Sequence, residues 1–174
     1  MSNSVDRNIV TVGIVDKINT EENKNLQKFL QFQLNSQTRV LLPAERVTEI
    51  LKIAETEILP IPEMGDRVMG IYSWRTEMLW IIDLRHLFGS AEEMDTSELK
   101  RLYLMTIVIE FNGHFLGFCV YEINDILELN CQDMHLECQD LFSEELLPFI
   151  AGYFIDRERQ LLTLLKLSAL FDWQ

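Results

Sequence analysis

Residues 104–120 read LMTIVIEFNGHFLGFCV, and this stretch decides the class of fold. Two runs rich in β-branched and aromatic residues, 104–111 and 114–120, flank the dipeptide Asn112-Gly113. An Asn-Gly pair between two such runs favours the type I′ turn of a two-residue hairpin, because both residues tolerate a positive φ. The stretch therefore predicts an antiparallel hairpin in a mainly β fold.

Short strands are also predicted in the first half of the chain. Residues 29–34 alternate with the period of two that is typical of a strand, a polar turn follows at 35–38, and 39–42 form the return strand. Residues 47–51 fit a strand or a short helical turn. Residues 58–62 contain two prolines, which restrict the residues before them to extended geometry.

A second hairpin is predicted from residues 68–74 and 79–84, which flank the turn Arg75-Thr76-Glu77. Residues 84–88 then predict a short helix that ends at Gly89, since glycine is the usual residue after a helix C-terminus.

The second half of the chain repeats the first. Three segments recur in the same order, namely 32–34 at 109–111, 47–51 at 123–127 and 70–72 at 152–154. One such match between short β segments means little, but three in order predict two related β modules. Modules this small are expected to close into barrels, because closure removes exposed strand edges.

The predicted domain boundaries follow from the polar stretches that interrupt the strands. Residues 90–100 are polar and predict a linker or surface loop. The first 25 residues are polar except for the run 9–15, IVTVGIV, which fits an edge strand, a partner-binding arm or a mobile tail. The predicted units are an N-terminal extension at 1–25 and one domain at 26–174, with subdomains at about 26–90 and about 100–174.

Composition excludes several classes of protein. The chain has 174 residues, 48% of them hydrophobic, and a formal net charge of −13, which opposes binding to nucleic acid or to anionic lipid. Three cysteines cannot form a closed set of disulfides and fit a reducing compartment. Apolar runs are too short for a membrane helix and no signal peptide is evident, so a cytoplasmic protein is expected.

Catalytic and metal-binding motifs are not apparent in the sequence. Cys131, His135 and Cys138, with Asp133 and Glu137 between them, have spacings that could bring ligands to one side of a helical turn. A structural zinc site needs four ligands, however, and the alternative is an acidic surface loop with two unpaired thiols. The prediction is no catalytic residues, no cofactor and no bound metal.

Residues 70–84, GIYSWRTEMLWIIDL, resemble the signature of CheW-like domains, in which a hairpin bearing an arginine precedes a strand ending in Ile-Asp-Leu. The resemblance covers about residues 26–172 and includes four further segments, at 43–51, 58–62, 112–120 and 148–154. The sequence departs from the family pattern at Thr76, where glycine is usual, at Trp80, where proline is usual, and at Tyr121 and Lys166, where aspartate is common.

The resemblance implies two intertwined five-stranded SH3-like barrels with short helices. It also implies a non-enzymatic signalling adaptor that connects the cytoplasmic tip of a chemoreceptor to the regulatory domain of a CheA-type histidine kinase. The tryptophan at position 80 and the N-terminal extension are similar to variants found in pilus-motility or phototaxis clusters of cyanobacteria.

Partner-binding residues follow from the same resemblance, since Val47, Glu49 and Arg75 match family positions tied to receptor coupling. A Glu49–Arg75 ion pair is expected, which either binds a partner or only attaches the hairpin to the preceding element. Trp74 is either an interface anchor or part of the barrel rim. The predicted set is Val47, Glu49, Ile50, Trp74, Arg75 and Trp80.

Other functions remain open on the sequence alone. A regulatory β-barrel domain could bind a small ligand in an apolar groove between its barrels. An enzyme has no motif in its favour, and an oligonucleotide-binding barrel is opposed by the net charge of −13.

Overall fold

The computed structural model describes residues 25–89 and 103–172. Residues 1–24 of the predicted extension, including the run 9–15, and the predicted linker at 90–100 lie outside this range. The strands in chain order are β1 Leu26–Gln33, β2 Arg39–Pro43, β3 Val47–Ala54, β4 Val68–Trp74, β5 Glu77–Asp83, β6 Tyr103–Phe111, β7 His114–Val120, β8 Glu122–Asn130, β9 Ile150–Ile155 and β10 Leu161–Leu165. Two short helices follow β5 and β10, α1 Leu84–Leu87 and α2 Leu167–Phe171.

The strands form two five-stranded sheets. Sheet A has the order β8-β1-β2-β10-β9, and sheet B has the order β3-β6-β7-β5-β4. Pairing is antiparallel except between β2 and β10 and between β5 and β7, which are parallel. Each sheet takes strands from both halves of the chain, so the sheets do not divide at the boundary predicted between 26–90 and 100–174. The halves are instead intertwined, as the resemblance implied.

Both predicted hairpins are confirmed. Phe111 pairs with His114 across a two-residue turn, in which Asn112 has a φ of 53° and Gly113 a φ of 80°. Trp74 pairs with Glu77, so the second turn is also only two residues long. The helix predicted after β5 is present as α1, and residues 47–51 lie in strand β3.

The predicted extended segment at 58–62 closes sheet B. Leu59 forms an isolated bridge with Ile71 on the outer edge of β4, with backbone hydrogen bonds of 2.8 and 2.9 Å. The approach is so close that a Cβ atom on Gly70 would collide with the carbonyl oxygen of Leu59. The φ of 145° at Gly70 is also one that other residues rarely adopt, so glycine is required here.

The two sheets repeat one plan, which confirms the predicted duplication. Reading sheet A from β8 to β9 and sheet B from β3 to β4 matches the first half's β1–β5 with the second half's β6–β10 in order. The ladders shift register at equivalent points, after Val47 in β3 and after Ile123 in β8. The bridge of Leu59 with Ile71 likewise recurs as the bridge of His135 with Tyr153.

Apolar side chains form three clusters in the described part of the chain. Every strand of sheet B contributes to one interior, and every strand of sheet A to another. A third and larger cluster takes residues from both sheets and lies between them. The groove expected between the barrels is filled by this cluster in the part of the chain that is described. The members of the middle cluster with no exposed surface are Phe32, Val40, Leu42, Leu84, Ile107, Ile109, Leu116 and Phe118.

The helices are too short to cross a bilayer. Among the residues that the structure describes, none forms a helix long and apolar enough to span a membrane.

Candidate partner-binding site

Three of the predicted residues meet at one end of sheet B and are called here the Arg75 cluster: Glu49, Trp74 and Arg75. The indole nitrogen of Trp74 donates to Oε2 of Glu49 at 2.9 Å, and Nη2 of Arg75 donates to the same oxygen at 3.3 Å. The Arg75 guanidinium lies over the Trp74 ring, 4.5 Å from its centroid. The expected Glu49–Arg75 ion pair is therefore present, and it is held by a third side chain.

Local backbone features bring the cluster together. A register shift between Val47 and Glu49 changes the alternation of β3 just before the carboxylate, which is how a β-bulge re-aims a side chain. Trp74 is the last residue of β4, and Arg75 opens the turn with a φ of 54°. A positive φ at a residue other than glycine or asparagine costs about 1 kcal/mol, so the neighbouring contacts must hold Arg75 in place.

Trp74 is an interior residue. It is 5% exposed, belongs to the core of sheet B, and packs against Phe115 with ring centroids 5.1 Å apart. Because Trp74 is also the last residue of β4, its buried side chain fills the barrel just inside the rim. Its indole supports the guanidinium from below and leaves little of its own surface for a partner.

Arg75 is the exposed member of the cluster, because 63% of its side-chain surface is accessible, against 38% for Glu49. An exposed ion pair stabilises a fold by only about 0–1 kcal/mol, and an exposed cation–π contact by about 0.5–1 kcal/mol. The main effect of these contacts is therefore orientation. They hold an exposed guanidinium in a defined position at the surface.

The other predicted residues lie apart from this cluster. Ile50 is 44% exposed and follows Glu49 in β3, so its side chain points to the opposite face of the strand. Val47 and Trp80 are half-buried against the cluster between the sheets. Trp74 and Trp80 do not share a face, because the two-residue turn pairs Trp74 with Glu77 and puts Trp80 on the other side of β5.

A buried charge pair was not predicted from the sequence. Asp83 accepts hydrogen bonds from the Nε and Nη2 atoms of Arg85 at 2.8 and 2.7 Å, and both residues are buried. The same carboxylate caps α1 by accepting from the backbone N–H of Arg85 and lies 3.2 Å from Nδ1 of His86. An aspartate directly before the predicted helix was the available signal, since aspartate is a preferred N-cap residue.

The cysteine-rich segment does not assemble a metal site. His135 stacks on Tyr153 at 4.9 Å, Cys131 is 3.4 Å from the side-chain oxygen of Gln27, and Cys138 is buried. Within residues 25–89 and 103–172, no three histidine, cysteine or acidic side chains are close enough to hold a metal ion.

Cys119 lies in the core of sheet B and has no exposed surface. Burial is the main cause that raises the pKa of its thiol to about 12, although the positive charge of Arg85 acts in the opposite direction. The thiolate is the reactive form, so burial and the raised pKa of Cys119 both oppose a role as a nucleophile.

Comparison with known proteins agrees with this architecture. The sequence profile of the CheW-like domain family matches residues 28–174. The chain belongs to this family. The scaffolding protein TtCheW from Thermoanaerobacter tengcongensis has a similar structure, with a TM-score of 0.66 and 19% identity over 80% of this chain and 88% of that chain. At this identity the likeness shows the CheW-like fold alone. No curated protein sequence matches the chain.

Proposed function

We propose that this CheW-like chain is a non-enzymatic signalling adaptor. It couples a chemoreceptor of the methyl-accepting type to a CheA-type histidine kinase, and the Arg75 cluster takes part in that coupling. Family membership supports the adaptor role, since CheW-like proteins are scaffolds of chemotaxis signalling. The name of TtCheW as a scaffolding protein points the same way.

The Arg75 cluster is the observation that carries the assignment of the site. It combines a mostly exposed arginine, a carboxylate that fixes its direction and a buried indole beneath it. A side chain fixed before binding loses less conformational entropy when a partner docks, and arginine is among the residue types that dominate interfaces. The strain at Arg75 also fits a site selected for presentation of the side chain rather than for stability.

The test is reconstitution with a receptor cytoplasmic fragment and the kinase. Arg75→Ala is expected to weaken binding to the receptor fragment by about tenfold, the effect of a moderate hot-spot residue. Glu49→Gln is expected to weaken binding less, because the carboxamide oxygen can still accept from the Trp74 indole while the charge that orients Arg75 is lost. Dissociation constants and receptor-dependent kinase activity would be measured together.

Arg67→Ala is the matched control. Arg67 also lies over an aromatic ring, 5.7 Å from the centroid of Phe149, and it precedes β4, whereas Arg75 follows the other end of that strand. Binding that is unchanged by Arg75→Ala would remove the site assignment while leaving the adaptor role. A wild-type chain that binds neither the receptor fragment nor the kinase would reject the adaptor role itself. The type of system served, pilus-based motility or phototaxis, stays a prediction.

A further inference from the structure

Sheet A has an open cavity of about 730 Å³ at the end of its barrel that corresponds to the Arg75 cluster of sheet B. Sites for small molecules in proteins have volumes of about 300–1,000 Å³, mostly apolar walls and a few polar groups that fix the ligand. The cavity has both kinds of surface. Its apolar lining comes from β8, β9 and β10, with Leu127, Leu129, Phe154, Ile155 and Leu162.

Two replacements between the repeats open this end of the barrel. Trp74 is the last residue of β4, and the equivalent residue, directly after β9, is Asp156. Phe115, whose ring packs against Trp74 in sheet B, is replaced in the ladder of β1 with β2 by Arg39. The ring contact that fills sheet B is thus replaced by an ion pair from Nη1 of Arg39 to Oδ2 of Asp156 at 3.2 Å, and both residues line the cavity.

A third replacement adds a neutral polar group. Because residues 32–34 recur at 109–111, Gln31 is the equivalent of Val108, which is fully buried in the core of sheet B. Gln31 is half-buried and lines the cavity, where its carboxamide supplies both donors and an acceptor. The turn after β9 also holds Asp156 in place, since its Oδ1 accepts from the N–H groups of Glu158 and Gln160. Part of the polar lining is therefore fixed before any ligand binds.

The charged groups of the cavity are mainly acidic. Four carboxylates and two guanidinium groups line it, and the Arg39–Asp156 pair uses one of each. The groups that remain are Arg157 and the carboxylates of Glu128, Asp133 and Glu158. These three acidic residues are exposed, and among the residues that the structure describes none of them has an ion-pair partner. A cleft with charges of one sign and apolar walls concentrates the electric field, so this one attracts cations.

The spacing of the acids selects the kind of cation. Nowhere in residues 25–89 and 103–172 do three histidine, cysteine or acidic side chains come close enough to hold a metal ion. Carboxylates spread around an apolar cavity are matched by an organic cation, whose apolar body contacts Phe154 and Leu162 while its charged end reaches the rim. The half-buried Leu127 and Leu129 would lose exposed surface on binding, which stabilises a complex by about 25 cal/mol per Å².

We propose that the cavity of sheet A binds a small organic cation with an apolar body, of the arylalkylamine class. Phe154 and the three leucines hold the apolar body, and Glu128 and Glu158 pair with the ammonium group. The Arg75 cluster lies in the other sheet, so this site and the proposed adaptor function stand or fail separately.

Titration of the isotope-labelled full-length chain, followed by NMR, tests the proposal with three probes that share one body. Phenylbutylamine carries a cation, phenylbutanol a neutral group and phenylbutyrate an anion. Phenylbutylamine is expected to shift the amide signals of residues 127–129 and 154–158 and to bind about tenfold more tightly than phenylbutanol, because hydrogen bonds between charged groups are stronger than neutral ones. Phenylbutyrate is expected to bind most weakly.

Paired charge variants separate the site from the net charge of the chain. Glu128→Gln/Glu158→Gln is expected to weaken phenylbutylamine binding about tenfold and to leave phenylbutanol binding unchanged. The control Glu144→Gln/Glu145→Gln removes the same charge from exposed residues that do not line the cavity, and it should bind both probes like the wild-type chain.

A third variant fills the cavity. Leu127→Trp is expected to abolish the shifts caused by phenylbutylamine and phenylbutanol, while unchanged signals of sheet B show that the fold is retained. The proposal is overturned by equal affinity for the amine and the alcohol, by tighter binding of phenylbutyrate, or by no shifts around the cavity at millimolar phenylbutylamine. Binding that survives Leu127→Trp, or that falls equally in the two charge variants, also rejects it, because the amine would then bind outside the cavity or respond only to net charge.

Discussion

The two ends of the molecule have the same backbone plan and different side chains. At the end of sheet B, Trp74 and Phe115 fill the barrel and support Arg75. At the equivalent end of sheet A, Asp156 and Arg39 form an ion pair below an open cavity. The difference shows that a duplicated fold is maintained by its ladders and close backbone approaches, while the residues at the barrel ends can diverge.

The two barrels place their large interior side chains at different depths. Sheet B has small residues deeper inside, Thr106 and Gly117, where sheet A has the fully buried Phe29 and Leu41. A Cβ on Gly117 would lie 2.6 Å from a methyl carbon of Ile81, so sheet B has no space for the larger residue. The barrel of sheet B therefore has its large side chains at its end, and the barrel of sheet A has them in its middle. Each arrangement keeps the interior densely packed.

The largest effect is expected from removing the large side chain of Trp74, which fills the end of the barrel formed by sheet B. Trp74→Ala should lower the free energy of unfolding by about 3–5 kcal/mol, since it deletes a large buried side chain and leaves a cavity. Asp156→Ala should cost only about 1–2 kcal/mol, because it removes hydrogen bonds at a half-exposed site. Urea denaturation measures both, and equal losses would contradict the assignment of Trp74 to the core.

The caps of the two helices offer a second comparison. Asp83→Ala should destabilise the chain by about 3–5 kcal/mol, because it takes the carboxylate from the buried Arg85 guanidinium. Asp83→Asn is the control, since asparagine still caps α1 and should cost less.

At the equivalent position before α2, the side chain of Lys166 makes no capping hydrogen bond. Lys166→Asp should therefore gain about 0.5–1 kcal/mol, and a loss of stability would show that α2 is not limited by its cap.

The smallest effect concerns one hydroxyl group. Thr106 Oγ1 is buried, and no group in the described parts of the chain forms a hydrogen bond with it. Thr106→Val keeps the shape and removes this group, so a gain of about 1 kcal/mol is expected in thermal or urea unfolding. Thr106→Ser keeps the hydroxyl and loses the methyl group that contacts the interior, and it should be less stable than the wild-type chain.

Much of the fold could be predicted because its signals are local. The Asn112-Gly113 turn, the alternation in β1 and the helix after Asp83 each depend on a few neighbouring residues. The Arg75 cluster was predicted only in part: family resemblance indicated Glu49 and Arg75, whereas the indole that joins them was open between two interpretations. The cavity of sheet A was not predicted. A comparison of the two repeats would have shown that Asp156 occupies the position equivalent to Trp74.

The sequence by itself determined the two hairpins with their turns, the duplication and the family, because each depends on a short-range pattern or a motif. Only the tertiary structure decided which strands the halves exchange and that the parallel pairs β2–β10 and β5–β7 join them. It also decided that Trp74 and Trp80 face opposite cores and that one barrel end is filled and the other open. These features depend on contacts between residues far apart in the chain, whose free energy is gained only when both sheets are assembled.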